Sequence, residues 1–214
     1  MEHTLYIILS QTGTVASRLI QTVTRAPYNH SSISLDRGMN EMYSFGRRRL
    51  YLQWIGGFIR ENPNTHVFRR FPNTLCEVIA LPVSGGVYRR ALDVIDLFVD
   101  EASDFKYDVL GLWTRPLGLK LKRSHRFICS QFVATVLQMS GAWDLGGRDP
   151  YFTYPEDFRR IPGSTVVFRG KLRDWQGGRG PEEAPGFSPG LPPALRGPPQ
   201  MVRKRPGTGI GSRG

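Results

Sequence analysis

The apolar periodicity that a folded core requires stops near Trp175. Residues 177–214 contain ten glycines and eight prolines in 38 positions, with few large apolar side chains between them. Such a segment cannot bury enough apolar surface to offset the conformational entropy that folding removes. We therefore predict one folded domain over residues 1–175, followed by a basic, Gly- and Pro-rich disordered tail over residues 176–214.

Short strand patterns and helical patterns follow one another inside the predicted domain. Residues 30–46 alternate polar and apolar side chains around the turn sequence Asp36-Arg37-Gly38, which predicts a β-hairpin. Apolar residues recur at helical spacing from Val87 to about Phe105 and over Phe127–Met139, and Gly141 follows as a C-cap. Further strands are predicted at Thr4–Leu9, Thr65–Arg70, Cys76–Pro82 and Ser164–Arg169, and further helices from Val15 to about Thr24 and at Pro155–Phe158. Together these patterns predict an α+β domain in which an antiparallel sheet packs against helices.

The cysteine content and the N-terminal residues bear on the compartment. The chain has two cysteines, Cys76 and Cys129, which are too few for a disulfide framework or a zinc site built from thiolates. The N-terminal residues lack the basic start of a secretory signal, and no apolar run approaches the roughly 20 residues that span a bilayer. These features predict reduced thiols, a cytoplasmic location and no transmembrane segment.

The net charge of +11 is spread over the chain and is not gathered in one patch. Residues 171–214 hold eight Lys or Arg against three acidic residues, a net +5, which leaves +6 for the remainder. Such a surface favours anionic partners, and the tail is a candidate contact with an anionic surface. No nucleic-acid-binding motif accompanies the charge, so a dedicated nucleic-acid binder is the weaker interpretation.

Cys129 and His30 are the candidate catalytic residues. Cys129 is predicted to lie at a helix start, where the helix dipole and a nearby imidazole favour the thiolate. Backbone N–H groups at the same helix start can donate to a developing oxyanion. His30 begins a predicted strand, which gives its ring a fixed direction, whereas His125 lies on a basic loop and is the weaker candidate base. Cys76 sits within a strand pattern and is interpreted as core packing. The spacing of these residues predicts no metal site, and no cofactor is expected.

Two groups of motifs resemble a known family. The first comprises an N-terminal strand, a helix ending at Leu19–Thr24, the strand Tyr28–Ile33 and the segment Met42–Arg47; the second comprises Phe127–Val133 and Tyr154–Phe158. They resemble the circularly permuted NlpC/P60 (papain-like) cysteine hydrolases, which include the YiiX-like proteins and, more remotely, the lecithin–retinol acyltransferase-like enzymes. In papain-like enzymes the cysteine usually precedes the histidine, so the order of His30 before Cys129 favours the permuted form.

The resemblance implies a permuted papain-like fold with Cys129 as nucleophile and His30 as general base. It also implies a third polar residue on the next strand that orients the imidazole. Ser44 is the closest position, and Glu41 is the alternative. A serine can accept the imidazole N–H but has no charge to stabilise an imidazolium, whereas a glutamate has one.

The leading functional hypothesis is a cysteine hydrolase or acyltransferase that acts on an amide, ester or thioester through an acyl-Cys129 intermediate. The bacterial members of the resembled family suggest a small-molecule, peptide or lipid-linked acyl substrate. The alternative is a non-catalytic papain-like protein that holds an anionic ligand on its basic surface. The two differ in whether replacement of Cys129 removes the activity.

Overall fold

The structure is a computed structural model that describes residues 2–11, 27–47, 56–64, 66–121 and 123–177. The helix predicted from Val15 to about Thr24 and all but the first two residues of the predicted tail lie outside these ranges. The longer helices are α1 (His66–Arg70), α2 (Gly85–Asp100), α3 (Val109–Thr114) and α4 (Cys129–Ser140). Short 3₁₀ helices occupy Arg115–Leu117, Pro150–Phe152, Pro155–Arg160 and Leu172–Asp174.

The strands of the described residues form one sheet of eight. They are β1 (Glu2–Gln11), β2 (His30–Ser34), β3 (Met42–Arg47), β4 (Gly56–Glu61), β5 (Leu75–Ser84), β6 (Lys106–Tyr107), β7 (Arg126–Phe127) and β8 (Thr165–Lys171). Their spatial order is β7-β6-β4-β3-β2-β1-β5-β8. All neighbouring pairs are antiparallel except β6 and β7, which run parallel. The domain is therefore α+β, with a mixed sheet.

Alternation along β1 separates two apolar clusters, because successive side chains of a strand point to opposite faces. Leu5, Ile7 and Leu9 belong to the larger cluster, which includes the buried faces of α2 and α4. Ile8 belongs to a smaller cluster with residues of β3, β5 and the C-terminal 3₁₀ helix. The helices thus cover one face of the central strands, and this packing brings the start of α4 to β2.

Helix α4 is held at both ends. Its first helical hydrogen bond runs from Phe132 N–H to the Ile128 carbonyl at 3.0 Å. At the other end Gly141 adopts the left-handed conformation, with φ of 78°, so the predicted glycine C-cap is confirmed. Arg90 of α2 donates to the Ser140 carbonyl at 2.8 Å, which ties the two long helices together. Seven helical residues are completely buried: Ser130, Phe132, Val133, Ala134, Val136, Leu137 and Ser140.

The predicted hairpin and most predicted strands are confirmed, since β2 pairs with β3 around Ile33 and Tyr43. The strand predicted at Thr65–Arg70 is wrong, because His66–Arg70 is helical. The next strand, β5, already has β1 and β8 on its two sides, so β5 offers no free edge with which the preceding segment could pair. The long helix α2 ends at Asp100, five residues before the predicted end. The sequence patterns did not predict β4, β6 or β7.

The packing of aromatic rings between the sheet and the helices should contribute measurably to the free energy of unfolding. The ring of Phe45 in β3 lies 5.2–6.0 Å from five other phenylalanine rings, those of Phe58, Phe98, Phe105, Phe127 and Phe132. We expect Phe45→Ala to lower the free energy of unfolding by about 3–5 kcal/mol in urea titrations. Leu97→Ala is the control, since Leu97 is 58% exposed, and we expect a change within about 0.5 kcal/mol. Equal effects of the two substitutions would contradict this account of the core.

Candidate active site

Cys129 is the first residue of α4. The preceding residue, Ile128, is extended, with φ of −96° and ψ of 152°. The first N–H groups of a helix have no partner within it, so those near Cys129 point past the start of the helix. Ile128 and Cys129 form a small buried cluster with Tyr151, against which Leu112 and Phe152 pack. Cys129 is only 2% exposed, and its thiol is therefore almost completely buried.

The imidazole of His30 interacts electrostatically with this thiol. His30 is the first residue of β2 and pairs with Ser10 of β1, while the adjacent Asn29 N–H donates to the Ser10 carbonyl at 3.3 Å. The thiol raises the pKa of the His30 ring, and the ring and the Ser31 backbone lower the pKa of the thiol, so the three groups interact. Because strand pairing fixes residues 29–31, the imidazole and the Ser31 peptide meet the sulfur in a set orientation.

The carboxylate of Glu61 lies on the other side of the imidazole. His30 Nε2 is 3.1 Å from both Glu61 Oε1 and Oε2. Ser32 Oγ donates to Glu61 Oε2 at 2.6 Å and so restrains the carboxylate. Glu61 is the last residue of β4, and its side chain is 11% exposed. Cys129, His30 and Glu61 thus form a thiol–imidazole–carboxylate series.

The charges of this series favour a thiolate and an imidazolium. Burial alone would lower the pKa of His30, but the Glu61 carboxylate and hydrogen bonds to Cys129 and Glu61 raise it to about 10. Burial alone would raise the pKa of Cys129, but the hydrogen bond and charge of His30, the Ser31 backbone and the charge of Arg115 lower it. The ion pair is present above the lowered pKa of Cys129 and is lost as the pH rises through about 10.

Arg115 supplies a buried positive charge behind the first turn of α4. Its side chain donates to Ser130 Oγ at 2.9 Å and to the Thr153 carbonyl at 2.8 Å. Ser130 Oγ itself donates to the same carbonyl at 2.6 Å. The guanidinium also lies over the Tyr154 ring, 4.0 Å from its centroid. This network fixes the residue after Cys129 and adds positive potential at the sulfur.

Neither residue predicted to orient the imidazole contacts it in the structure. Ser44 is buried, and its hydroxyl donates to the Ser31 carbonyl at 2.6 Å; it therefore holds the strand that carries His30. Glu41 is exposed, accepts a hydrogen bond from the Tyr43 hydroxyl, and lies 3.8 Å from Arg60 Nη1. The orienting position is taken instead by Glu61, one strand further along the sheet.

The other sequence candidates lie elsewhere. His125 is exposed in the turn before β7, and its ring packs against Phe105 with centroids 5.6 Å apart. Cys76 is fully buried in β5, and burial raises the pKa of its thiol. Within the described ranges no group of three His, Cys, Asp or Glu side chains is arranged to hold a metal ion.

Glu61 was missed because its strand has a weak sequence pattern. Strand β4 begins with Gly56 and Gly57, and a pair of glycines is more typical of a loop than of a strand. A Cβ at Gly56 would lie 2.5 Å from the Gly46 carbonyl oxygen, so the glycine permits the close approach of β3 and β4 near His30. The available signal was the apolar pair Phe58 and Ile59 between these glycines and a turn sequence. That signal marks a strand but does not indicate its neighbour.

The two glutamates give a discriminating test of the site. We expect Glu61→Gln to slow alkylation of Cys129 by iodoacetamide at about pH 6 by roughly tenfold, because loss of the carboxylate lowers the pKa of His30 and raises that of the thiol. Glu41→Gln is the matched control and should leave the rate unchanged. The rate is followed by intact mass, and Cys129→Ser identifies the labelled residue. A rate reduced by Glu41→Gln and not by Glu61→Gln would assign the orienting role to Glu41.

Comparison with known proteins identifies no relative of this chain. No family model matches the chain, and no match was found among curated proteins or among solved structures. None of the helices in the described part of the chain has the length and apolar character needed to cross a bilayer. The resemblance to permuted NlpC/P60 hydrolases accordingly stays a prediction, and the chemistry is inferred from the series Cys129–His30–Glu61.

Proposed function

We propose that the protein is a thiol hydrolase or acyltransferase that forms an acyl-Cys129 intermediate. One observation carries the proposal: the thiol of a cysteine at the start of α4 has its pKa lowered by an imidazole that is itself hydrogen-bonded to a carboxylate. This is the arrangement of an activated thiol nucleophile, with a base and a group that orients the base. The substrate class is an amide, ester or thioester.

In the first step the Cys129 thiolate attacks the carbonyl carbon of the substrate. A C–S bond forms, and the carbonyl electron pair moves to oxygen, where N–H groups at the start of α4 donate to it. As the intermediate collapses, the bond to the leaving amine, alcohol or thiol breaks. The His30 imidazolium gives its proton to that leaving group, and the acyl group remains on sulfur.

In the second step His30 is neutral and acts as general base. It takes a proton from water or from an acceptor hydroxyl or amine, whose oxygen or nitrogen attacks the thioester carbon. The C–S bond breaks and the thiolate–imidazolium pair is restored. Glu61 stabilises the imidazolium in each cycle and does not itself need to become protonated. Water gives hydrolysis, and another acceptor gives acyl transfer.

We further propose that the domain has the circularly permuted papain-like fold. The support is the order of His30 before Cys129, the placement of the cysteine on a helix that packs against the sheet, and the placement of the histidine at a strand start. The acyl donor is a small molecule, a peptide or a lipid-linked compound. Both cysteines are free thiols, which supports a reducing compartment such as the cytoplasm.

The proposal is tested by trapping the acyl-enzyme. The full chain is incubated with p-nitrophenyl esters and acyl thioesters of different chain length, and intact mass and peptide mapping locate the adduct. We expect one acyl group on Cys129, none in Cys129→Ser, and at least a tenfold slower acylation in His30→Gln, because the variant lacks the ion pair that keeps the thiol ionised. Addition of a primary amine distinguishes acyl transfer from hydrolysis.

Cys76→Ser is the matched control and should be acylated like the unaltered chain, since Cys76 is buried away from this series. Absence of any adduct, together with alkylation of Cys129 no faster than that of a free thiol, would contradict the proposal. A non-catalytic binding protein would then be the better interpretation.

A further inference from the structure

An exposed apolar patch lies beside the candidate active site. Five of the eight large apolar side chains that are exposed in the described residues fall within residues 110–121. Their exposed fractions run from 36% to 73%. We refer to these five residues as the apolar patch: Leu110, Trp113, Leu117, Leu119 and Leu121. Surface apolar residues scattered singly are ordinary, but such a cluster marks a binding surface.

Helical geometry explains why the patch faces outward. Leu110, Trp113 and Leu117 lie three and four residues apart along α3 and the following 3₁₀ helix, so they share one side. The opposite side carries Gly111 and Arg115, which are buried. A surface helix normally turns its polar side to water. Here the outward side is apolar.

The charged residues in the segment that carries the apolar patch are all positive. Residues 109–126 contain five Lys or Arg and no Asp or Glu. Three of these cations are buried or already form an ion pair. Arg115 is buried, Lys120 pairs with Asp149, and Arg123 pairs with Asp108.

Arg126, the last of these five cations, lies beside a further cation, Lys106, at the edge of the sheet. Lys106 of β6 and Arg126 of β7 are register partners, and β7 is the outermost strand on that side. Like charges placed opposite each other on neighbouring strands destabilise a sheet. An anionic partner removes that cost.

The patch is connected directly to the nucleophile. Leu112, between two patch residues, packs against the cluster of Ile128, Cys129 and Tyr151. Arg115, also within the segment, donates to Ser130 Oγ at 2.9 Å. The inner side of this segment therefore contacts the first turn of α4, while its outer side carries the patch.

We propose that the apolar patch docks the protein on the surface of an anionic phospholipid bilayer. The leucines and Trp113 enter the boundary between headgroups and acyl chains, and the neighbouring cations meet the lipid phosphates. A second copy of the chain fits less well as the occupant, because its patch carries the same positive surroundings. Docking does not require a reactive Cys129, so it goes beyond the proposed chemistry. It also places the site beside membrane-borne acyl groups.

Vesicle co-sedimentation of the full chain tests the docking. The probe is vesicles of phosphatidylcholine and phosphatidylglycerol in equal parts, with pure phosphatidylcholine for comparison. We expect binding that weakens with salt and on neutral vesicles, and that falls at least about tenfold in the double variant Trp113→Ser/Leu117→Ser. The double variant Leu97→Ser/Met139→Ser is the matched control, because Leu97 and Met139 are 58% and 57% exposed outside the patch. Its binding should be unchanged.

A conservative variant tests the docking even if the double variant does not fold. Quenching of tryptophan fluorescence by brominated phospholipid should occur in the unaltered chain and should decrease in Trp113→Phe. Cys129→Ser should bind vesicles like the unaltered chain, so a failure of docking and a failure of the catalytic proposal are distinguishable.

Three results would overturn the docking proposal. The first is no binding to anionic vesicles, and the second is equal binding by the patch variant, which would assign the contact to the basic tail. The third is a dimer of the unaltered chain that becomes a monomer in the patch variant, which would assign the patch to a second copy.

Discussion

The packing of α4 against the centre of the sheet is the constraint on which the candidate site depends. The helix buries Phe132, Val133, Val136 and Leu137 completely, and the same apolar cluster includes Ile33 of β2 and Phe45 of β3. Because interiors pack densely and tolerate little displacement, this contact sets where the helix begins. The helix start in turn places the Cys129 sulfur at His30 and the Ser31 backbone. The Cys129 thiol is thus positioned by residues that have no chemical role in the proposed reaction.

A buried positive charge between two acidic groups determines the electrostatics of the site. Burial opposes ionisation of both His30 and Cys129, but each ion stabilises the other, and the Glu61 carboxylate adds to the stabilisation of the imidazolium. Arg115 contributes from behind α4 without an acidic partner among the described residues. A buried charge of this kind is costly unless hydrogen-bonded, and its bonds to Ser130 and Thr153 offset that cost. The resulting ion pair keeps the Cys129 thiol ionised at a buried position.

The segment around α3 links this site to the molecular surface. Its inner residues contact the first turn of α4, and its outer residues form the apolar patch. Exposed leucines and a tryptophan cost free energy in water. In the proposed docking, a membrane relieves that cost and brings an acyl donor to the thiol in the same encounter. The proposed chemistry and the proposed docking surface therefore depend on one short piece of chain.

The local part of this arrangement was predictable from sequence. Alternation over residues 30–46 and helical spacing over Phe127–Met139 placed His30 at a strand start and Cys129 at a helix start, since these patterns depend on neighbours in the chain. The helix C-cap at Gly141 followed for the same reason. The strand predicted at Thr65–Arg70 failed because pairing depends on a free sheet edge, and local propensity carries no information about edges.

By itself, the sequence determined the α+β class, most of the main helices and strands, and the placement of His30 at a strand start and of Cys129 at a helix start. Only the tertiary structure decided which residue stands behind the imidazole. Ser44 and Glu41 are close to His30 along the chain, but β4 pairs beside β3 and brings Glu61 within 3.1 Å of Nε2. The exposure of the apolar patch was likewise decided by folding, because which side of α3 faces water depends on where α4 packs. Strand neighbours and helix faces are long-range properties, fixed by packing and not by local pattern.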